Sequence, residues 1–512
     1  MALALVQHAA PPDRLHLWVG IADHAAPPAL AWRLDRQARA PDTVMRALEP
    51  VLTNALATRA RTTVYSGFFE FTGLAPGSEH EIEVDAGGER IVRQVRTLPD
   101  AVPEGPQDRF NVLLASCFHR LEDKTGTAGK VLSELKVVPH LTLFAGDQVY
   151  LDLPTASNFP DDEAWLADKF QNDYIDNWFG LRDGAADPRE VPPGFPQMLA
   201  LAPSAFMPDD HEFWNNYPAW TSPVENSWTP QGRARWTRAA EAGYRGFQQT
   251  AAAAFGAARV LDVAPLSILL LDTRSQRTPG SLDKENDLLG FAGQQALRAW
   301  VDGLVQSAGT PAPRFGMLVT GQSFFSPAAG TIKGAIADYE FPDYPVDYAA
   351  MLDELERVTR AGLPLILATG DVHWGRVLTA IDAGAPGAPV FEVISSPTSL
   401  VSTVIADQAK ELWGGIKGLF GGRDPWPRHS DPERPPPRFG KRKQYGTALL
   451  ERDGNRDKPA AMRGNHAFML RFARSAGGLD VAVSCYPLAA DDALNAREQW
   501  STSFQLRPPR GA

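Results

Sequence analysis

HLTLFAGDQVYLD, residues 140–152, decides the fold: an apolar run from Leu141 to Ala145 breaks at Gly146 into Asp147, Gln148, Tyr150 and Asp152. A short apolar run closed by a turn residue reads as a strand buried on both faces, the kind found in sheets whose connections are helices. Polar residues directly after such a strand lie at its carboxyl end, where open α/β sheets present ligands. Three other stretches repeat the pattern. FNVLLASCFH (110–119) ends at Cys117, with His119 beyond it; SAFMPDDHEFWNN (204–216) ends at Asp209, Asp210, His211 and Glu212; LPLILATGDVHWG (363–375) ends at Asp371 and His373.

Around these four stretches, apolar strands such as LSILLLDT (266–273) and RFGMLVT (314–320) alternate with helical patterns such as GQQALRAWVDGLV (293–305) and YAAMLDELERVTR (348–360). That alternation predicts an α/β domain over 105–512. Residues 151–265 read as a largely helical insertion shaping the mouth of a site. Residues 414–459, rich in Pro, Gly, Arg and Asp, read as a long loop. The first hundred residues differ. LHLWVGI (15–21), ALAWRL (29–34) and the runs between Thr62 and Pro99 are short and β-like, with turn signals between them, which predicts an all-β antiparallel sandwich over 1–104. The boundary falls in PDAVPEGPQD (99–108), where proline, glycine and acids cluster without periodicity.

With 512 residues, 44% of them hydrophobic, the chain exceeds what one core serves. A net charge of -11 gives no general basic field, which counts against a duplex nucleic acid partner and leaves a small substrate. The two cysteines, Cys117 and Cys485, suggest free thiols rather than a disulfide framework. No signal peptide is read at the N-terminus, and no run approaches the roughly 20 apolar residues of a membrane span. A soluble, cytoplasmic protein is expected.

Each strand-end residue has an ordinary reading when taken alone: Cys117 as a buried filler, Tyr150 as a core aromatic, Asp209 as a helix N-cap. Together they are different. Carboxylates, an imidazole, a thiol and a phenol gathered at one sheet edge repel or stay unpaired unless a cation organises them. These donors suit a cluster of two metals, and the glycine before Asp147 and Asp371 allows close backbone approach.

ASCFH, GDQVYLD, PDDHEFWNN and TGDVHWG, in this order and with LDTRS at 271–275, resemble the alkaline phosphatase D family, a branch of the calcineurin-like metallophosphoesterases related to purple acid phosphatases. GLAPGSEHEIEV followed by VRTLP is similar to fibronectin type III-like modules that precede some phosphatase domains. The resemblance implies a four-layer α-β-β-α sandwich with a binuclear or larger metal centre at the strand ends. It implies that Cys117, Asp147, Tyr150 and His373 hold a first metal, Fe3+, and that Asp147 bridges to a second held by Asp210 and Asp371. Asp209 and Asn216 are further candidate ligands. Carboxylates in place of nitrogen ligands favour Ca2+, Mn2+ or Mg2+ at the second metal.

His119 competes with Tyr150 for the first metal. TGQSFF (320–325) offers Gln322 and Ser323 where related enzymes carry a lone histidine, which leaves the second site to be completed by water or substrate. The implied reaction is hydrolysis of a phosphate mono- or diester by in-line attack of a metal-bound hydroxide. His211 is the expected general acid. Arg274 positions a phosphate or makes a structural salt bridge. Two alternatives stand beside this: a non-catalytic module binding phosphate or a phosphorylated ligand, and a related metallohydrolase acting on nucleotides or phospholipids. The substrate and oligomeric state are left open. DKTGT (123–127) matches the phosphorylation string of ion-pumping ATPases but lacks their membrane spans and a strand leading into Asp123, and His466 reads as structural.

Overall fold

The computed structural model describes residues 2–105, 108–154, 159–180, 187–250, 255–278, 287–326, 338–382, 387–399, 438–439, 443–488 and 496–508. The chain is a mixed α/β protein built on several sheets. The largest has ten strands, in the order Trp500–Leu506, Gly478–Pro487, His466–Ser475, Phe110–Ala115, Leu141–Ala145, Ser204–Met207, Ala2–His8, Leu15–Ala22, Val64–Phe71 and Thr43–Pro50. Its central strands are parallel and share one register, with Phe144 opposite Ala115 on one side and Phe206 on the other. Cys117, Asp147 and Asp209 therefore leave the sheet side by side.

A second, nine-stranded sheet has Leu266–Leu270, Phe315–Val319, Leu365–Thr369 and Val390–Ile394 as its parallel core. Side chains alternate between two environments, as a pleated strand requires. Phe110, Val112, Leu114, Leu143 and Met207 join one core with the second sheet and the helices Gly290–Ala308 and Pro345–Arg360. Leu113, Ala115, Phe144 and Phe206 join another with the helices Glu163–Trp178 and Pro230–Phe247. The first of these helices starts where the Asp162 carboxylate accepts from Trp165 N at 3.0 Å, and the second where Thr229 caps and Pro230 fills the first position.

The first hundred residues do not stand apart in their hydrogen bonding. Their small sheet, Gln37–Ala38, Leu30–Leu34, Glu79–Ala86 and Glu89–Arg96, meets Leu15, Leu17, Val19 and Ile21 in one core. The opposite face of those strands sends Val6, Trp18 and Phe68 toward the helices, and Ala2–His8 pairs in parallel with Ser204–Met207 through His8 and Ser204. The Pro/Gly cluster at 99–108 marks a change of direction, while Leu15–Ala22, buried along its whole length, belongs to both environments. Residues 151–265 likewise contribute a central strand, Ser204–Met207, besides their helices.

Of the loop expected over 414–459, residues 414–437 and 440–442 lie outside the described residues. Beyond that it is corrected: Lys443–Leu449 pairs with Gly375–Asp382, and Glu451–Arg452 forms a hairpin with Asn455–Pro459. The hairpin turns at Asp453 and Gly454, with φ 54° and 67°, a two-residue turn that an Asp-Gly pair favours. The exposed polar residues of this edge hide the strand signal. Among the described residues no helix is long and apolar enough to cross a membrane.

The close approach of strand ends can be tested at Gly370. A Cβ there would lie 2.1 Å from Ala145 O and 2.6 Å from Ser116 Cβ, so the two sheets would have to separate at the site. Gly370→Ala is expected to lose about 1–3 kcal/mol of stability in denaturant titration.

Candidate metal centre

Five residues of the strand-end loops, Cys117, Asp147, Asn216, Asp371 and His373, hold φ between 50° and 72°. Side chains other than glycine rarely adopt this left-handed region, and its strain persists only where the surroundings over-determine it. Here backbone bonds do so. Cys117 N donates to Gly146 O at 3.1 Å, Phe118 N to Asp147 O at 2.8 Å and Gly146 N to Met207 O at 3.0 Å. Gly146 is required by the same crowding, since a Cβ on it would sit 2.6 Å from Asp209 Cβ.

The loops bring Cys117, Asp147, Tyr150 and His373 together. Cys117 Sγ lies 3.3 Å from Asp147 Oδ2 and 3.1 Å from Ser396 Oγ, and Tyr150 Oη lies 3.5 Å from His373 Nε2. Cys117 and Tyr150 are in contact within one small cluster, while the His119 ring packs edge-on against Tyr150 at 5.3 Å. Of the two competing residues, Tyr150 is the one beside Cys117 and His373. Burial first, and the Asp147 carboxylate next, push the Cys117 thiol up; burial and then Cys117 and Asp147 push the Tyr150 phenol up.

Beside them, Asp147, Asp209, Asp210 and Asp371 each offer an oxygen within 4.8 Å of the others, and Asp147, Asp210 and His211 form an overlapping group. Asp147 and Asp210 are common to both. Burial raises all four carboxyls, with neighbouring acids adding to the effect at Asp209, which reaches about 7, and at Asp371. Asp209 Oδ2 is buried without a hydrogen-bond partner among the described residues. Deprotonated acids packed this closely need positive charge, and an all-oxygen set suits a hard cation. The residues present thus fit a metal.

Three expected site residues are engaged in other ways. Arg274, read as a candidate phosphate ligand, is 0% exposed and commits its guanidinium to Asp209 Oδ1 at 2.7 Å, Asp338 Oδ2 at 2.8 Å and Tyr217 O at 3.0 Å. In this arrangement it is a buried counter-charge to Asp209 and Asp338. The Asn216 side chain ties backbone: its Oδ1 accepts from Tyr339 N at 3.1 Å and its Nδ2 donates to Trp220 O at 3.2 Å. His211 pairs its Nδ1 with Asp152 Oδ1 at 2.7 Å. Burial alone would lower this imidazole, but Asp152, Asp210 and Asp147 outweigh it and hold its pKa well above the usual value.

Sequence reasoning missed Ser396 against the thiol, Asp338 against Arg274, and the use of Glu212, whose carboxylate accepts backbone N–H groups rather than facing the cluster. Ser396 follows the strand Val390–Ile394 at the same two-residue offset at which Cys117 and Asp147 follow theirs, a signal the sequence reading passed over; Asp338 belongs to no strand-end motif, and Glu212 was visible in PDDHE but not its direction. Both cysteines are free thiols, and Cys485 sits in the core between the sheets. His466 is buried and bonds Gly464 O through Nδ1 at 2.7 Å. Asp123 accepts from Ala128 N at 3.3 Å at the start of the helix Thr127–Ser133. No family model matches the sequence, and a search of curated proteins finds no match.

A carboxyl whose folded pKa is raised stabilises the fold fully only below its unfolded pKa, and that contribution is gone once the pH passes its folded value. For Asp209 this window runs from 3.8 to about 7. A bound cation removes the repulsion and requires the deprotonated acids. The rise in Tm on adding Ca2+ or Mn2+ to metal-free protein is therefore expected to be small at pH 5 and large at pH 8, measured as the difference at each pH.

Proposed function

We propose that the chain is a metal-dependent phosphoesterase of the alkaline phosphatase D type, acting on a small phosphate mono- or diester. The observation that carries this reading is Asp147, whose carboxylate belongs at once to the thiol-phenol-imidazole group and to the carboxylate group. A shared carboxylate between two donor sets of different softness is what a bridged pair of unlike cations requires. Cys117, Tyr150 and His373 would hold Fe3+ with it; Asp210 and Asp371, with Asp209 beside them, would hold Ca2+, Mn2+ or Mg2+. When bound, such cations neutralise charge on a phosphoryl group and lower the pKa of water.

The remaining chemistry falls to side chains of the chain itself. Asp152 fixes His211 through Nδ1, so Nε2 is the atom that can give a proton to a departing oxygen, and the surrounding carboxylates keep that proton in place. The left-handed loops hold the acids in position before any ligand arrives, which removes that reorganisation from the reaction. Two sheets packed face to face between helices support the four-layer reading, and the small sheet against Leu15–Ala22 supports a fibronectin-like origin for the N-terminal strands.

Protein stripped of metal should hydrolyse neither nitrophenyl phosphate nor bis(nitrophenyl) phosphate, and should do so after Fe3+ and Ca2+ are restored; turnover unaffected by chelation would refute the reading. Asp147→Asn is expected to lose metal from both sites and Asp371→Asn chiefly the harder one, as metal counts would show. His211→Ala should lose about 100- to 10000-fold on alkyl esters, which need a protonated leaving oxygen, and much less on nitrophenyl esters.

A further inference from the structure

We infer that Glu212 is a positioning residue that sets the two metal-bearing loops against each other without touching the metals. The inference rests on the metal centre proposed above. Glu212 is 0% exposed. Its Oε2 accepts from Asp147 N at 3.0 Å and Asp209 N at 2.8 Å, and its Oε1 accepts from Gln148 N at 2.7 Å and Gln248 Nε2 at 3.2 Å. Two donors on each oxygen fill the carboxylate's hydrogen-bonding capacity, so no lone pair is left for a cation.

What those donors belong to gives the arrangement its consequence. Asp147 and Gln148 follow the strand Leu141–Ala145, and Asp209 follows Ser204–Met207. One carboxylate thus spans both turns, including the left-handed turn at Asp147, whose φ is 58°. The spacing between Asp147 and the acids at 209 and 210 follows from this clamp. The fourth donor, Gln248, ends the helix Pro230–Phe247 and carries the clamp to the helical layer.

The donor pattern makes a sharp distinction between charge and shape. An amide at position 212 keeps the volume but turns one oxygen into an NH2 group. On the Oε2 side that group confronts the N–H donors of Asp147 and Asp209, and on the Oε1 side it confronts that of Gln148 and obliges the Gln248 amide to turn its oxygen inward, so Glu212→Gln is not a conservative change. Metal positions supported indirectly in this way commonly lose about 10- to 100-fold in affinity when the support is removed.

The test is calorimetric titration of metal-free full-length protein with Mn2+, alongside activity on bis(nitrophenyl) phosphate at limiting and saturating Mn2+. Glu212→Gln is expected to weaken Mn2+ binding by about 10- to 100-fold, with activity largely restored at saturating Mn2+. Gln248→Met, which removes one neutral donor and leaves the carboxylate, should shift binding in the same direction by less, and it keeps the test open if the first variant does not fold. Wild-type binding in folded Glu212→Gln, or in Gln248→Met should the first not fold, would overturn the clamp. So would full metal loading of Glu212→Gln with activity lost, since that places Glu212 in the chemistry. Wild-type protein that binds Mn2+ without hydrolysing esters would sink the phosphoesterase reading alone, and wild-type protein that binds no metal would sink both.

Discussion

Like-charge repulsion among buried acids is the constraint around which this molecule is arranged. Asp147, Asp209 and Asp210, all buried, and the partly exposed Asp371 come within ion-binding distance of one another where water screens them poorly. Burial first, and the neighbouring acids after it, raise the pKa values of such a cluster, as here, while nearby positive charge works against the rise. The fold makes the cluster unavoidable. The in-register parallel strands end at one level, and the glycines at 146 and 370 bring the loops closer than any side chain would allow. The strain of five left-handed residues is stored at the same place.

The parts of this arrangement that follow strands were legible in the sequence. FNVLLAS, HLTLFAG and LPLILATG are continuous apolar runs because both faces of those strands are buried, and the polar residue after each run has one place to go. The same physics hid other parts. Leu15–Ala22 looked like a sandwich strand; one of its faces packs against the small sheet, while burial along its whole length also lets it join the large sheet. Lys443–Leu449 and the hairpin after it lie at an edge whose hairpin residues are polar, so composition read as loop although Asp453-Gly454 carried a turn signal.

At the site, residue types were legible and directions were not. A carboxylate in a motif can face a cation, a guanidinium or backbone N–H groups, and PDDHE contains acids of different kinds. Asp210 lies within the cluster and accepts from Asn216 N, Asp209 is shared between the cluster and Arg274, and Glu212 faces the backbone. Only the packed geometry separates them, because the partners come from Tyr217, Gln248 and Asp338, residues with no motif of their own.

That division explains how so much negative charge fits in one place. Arg274 is buried between Asp209 and Asp338, and Asp152 draws the His211 imidazolium to its own side. Each buried cation is thereby balanced by an acid that is peripheral to the cluster or shared with it. A buried ion pair gains little net stability, since desolvation offsets most of the attraction. Its effect here is on location. With Arg274 on Asp209 and the backbone N–H groups on Glu212, Asp147, Asp210 and Asp371 are left as the acids of the cluster with no ion pair among the described residues, Asp147 accepting from the Cys117 thiol and His211 N and Asp210 from Asn216 N. The same residues that would have to hold a cation are the ones the surrounding structure leaves least compensated.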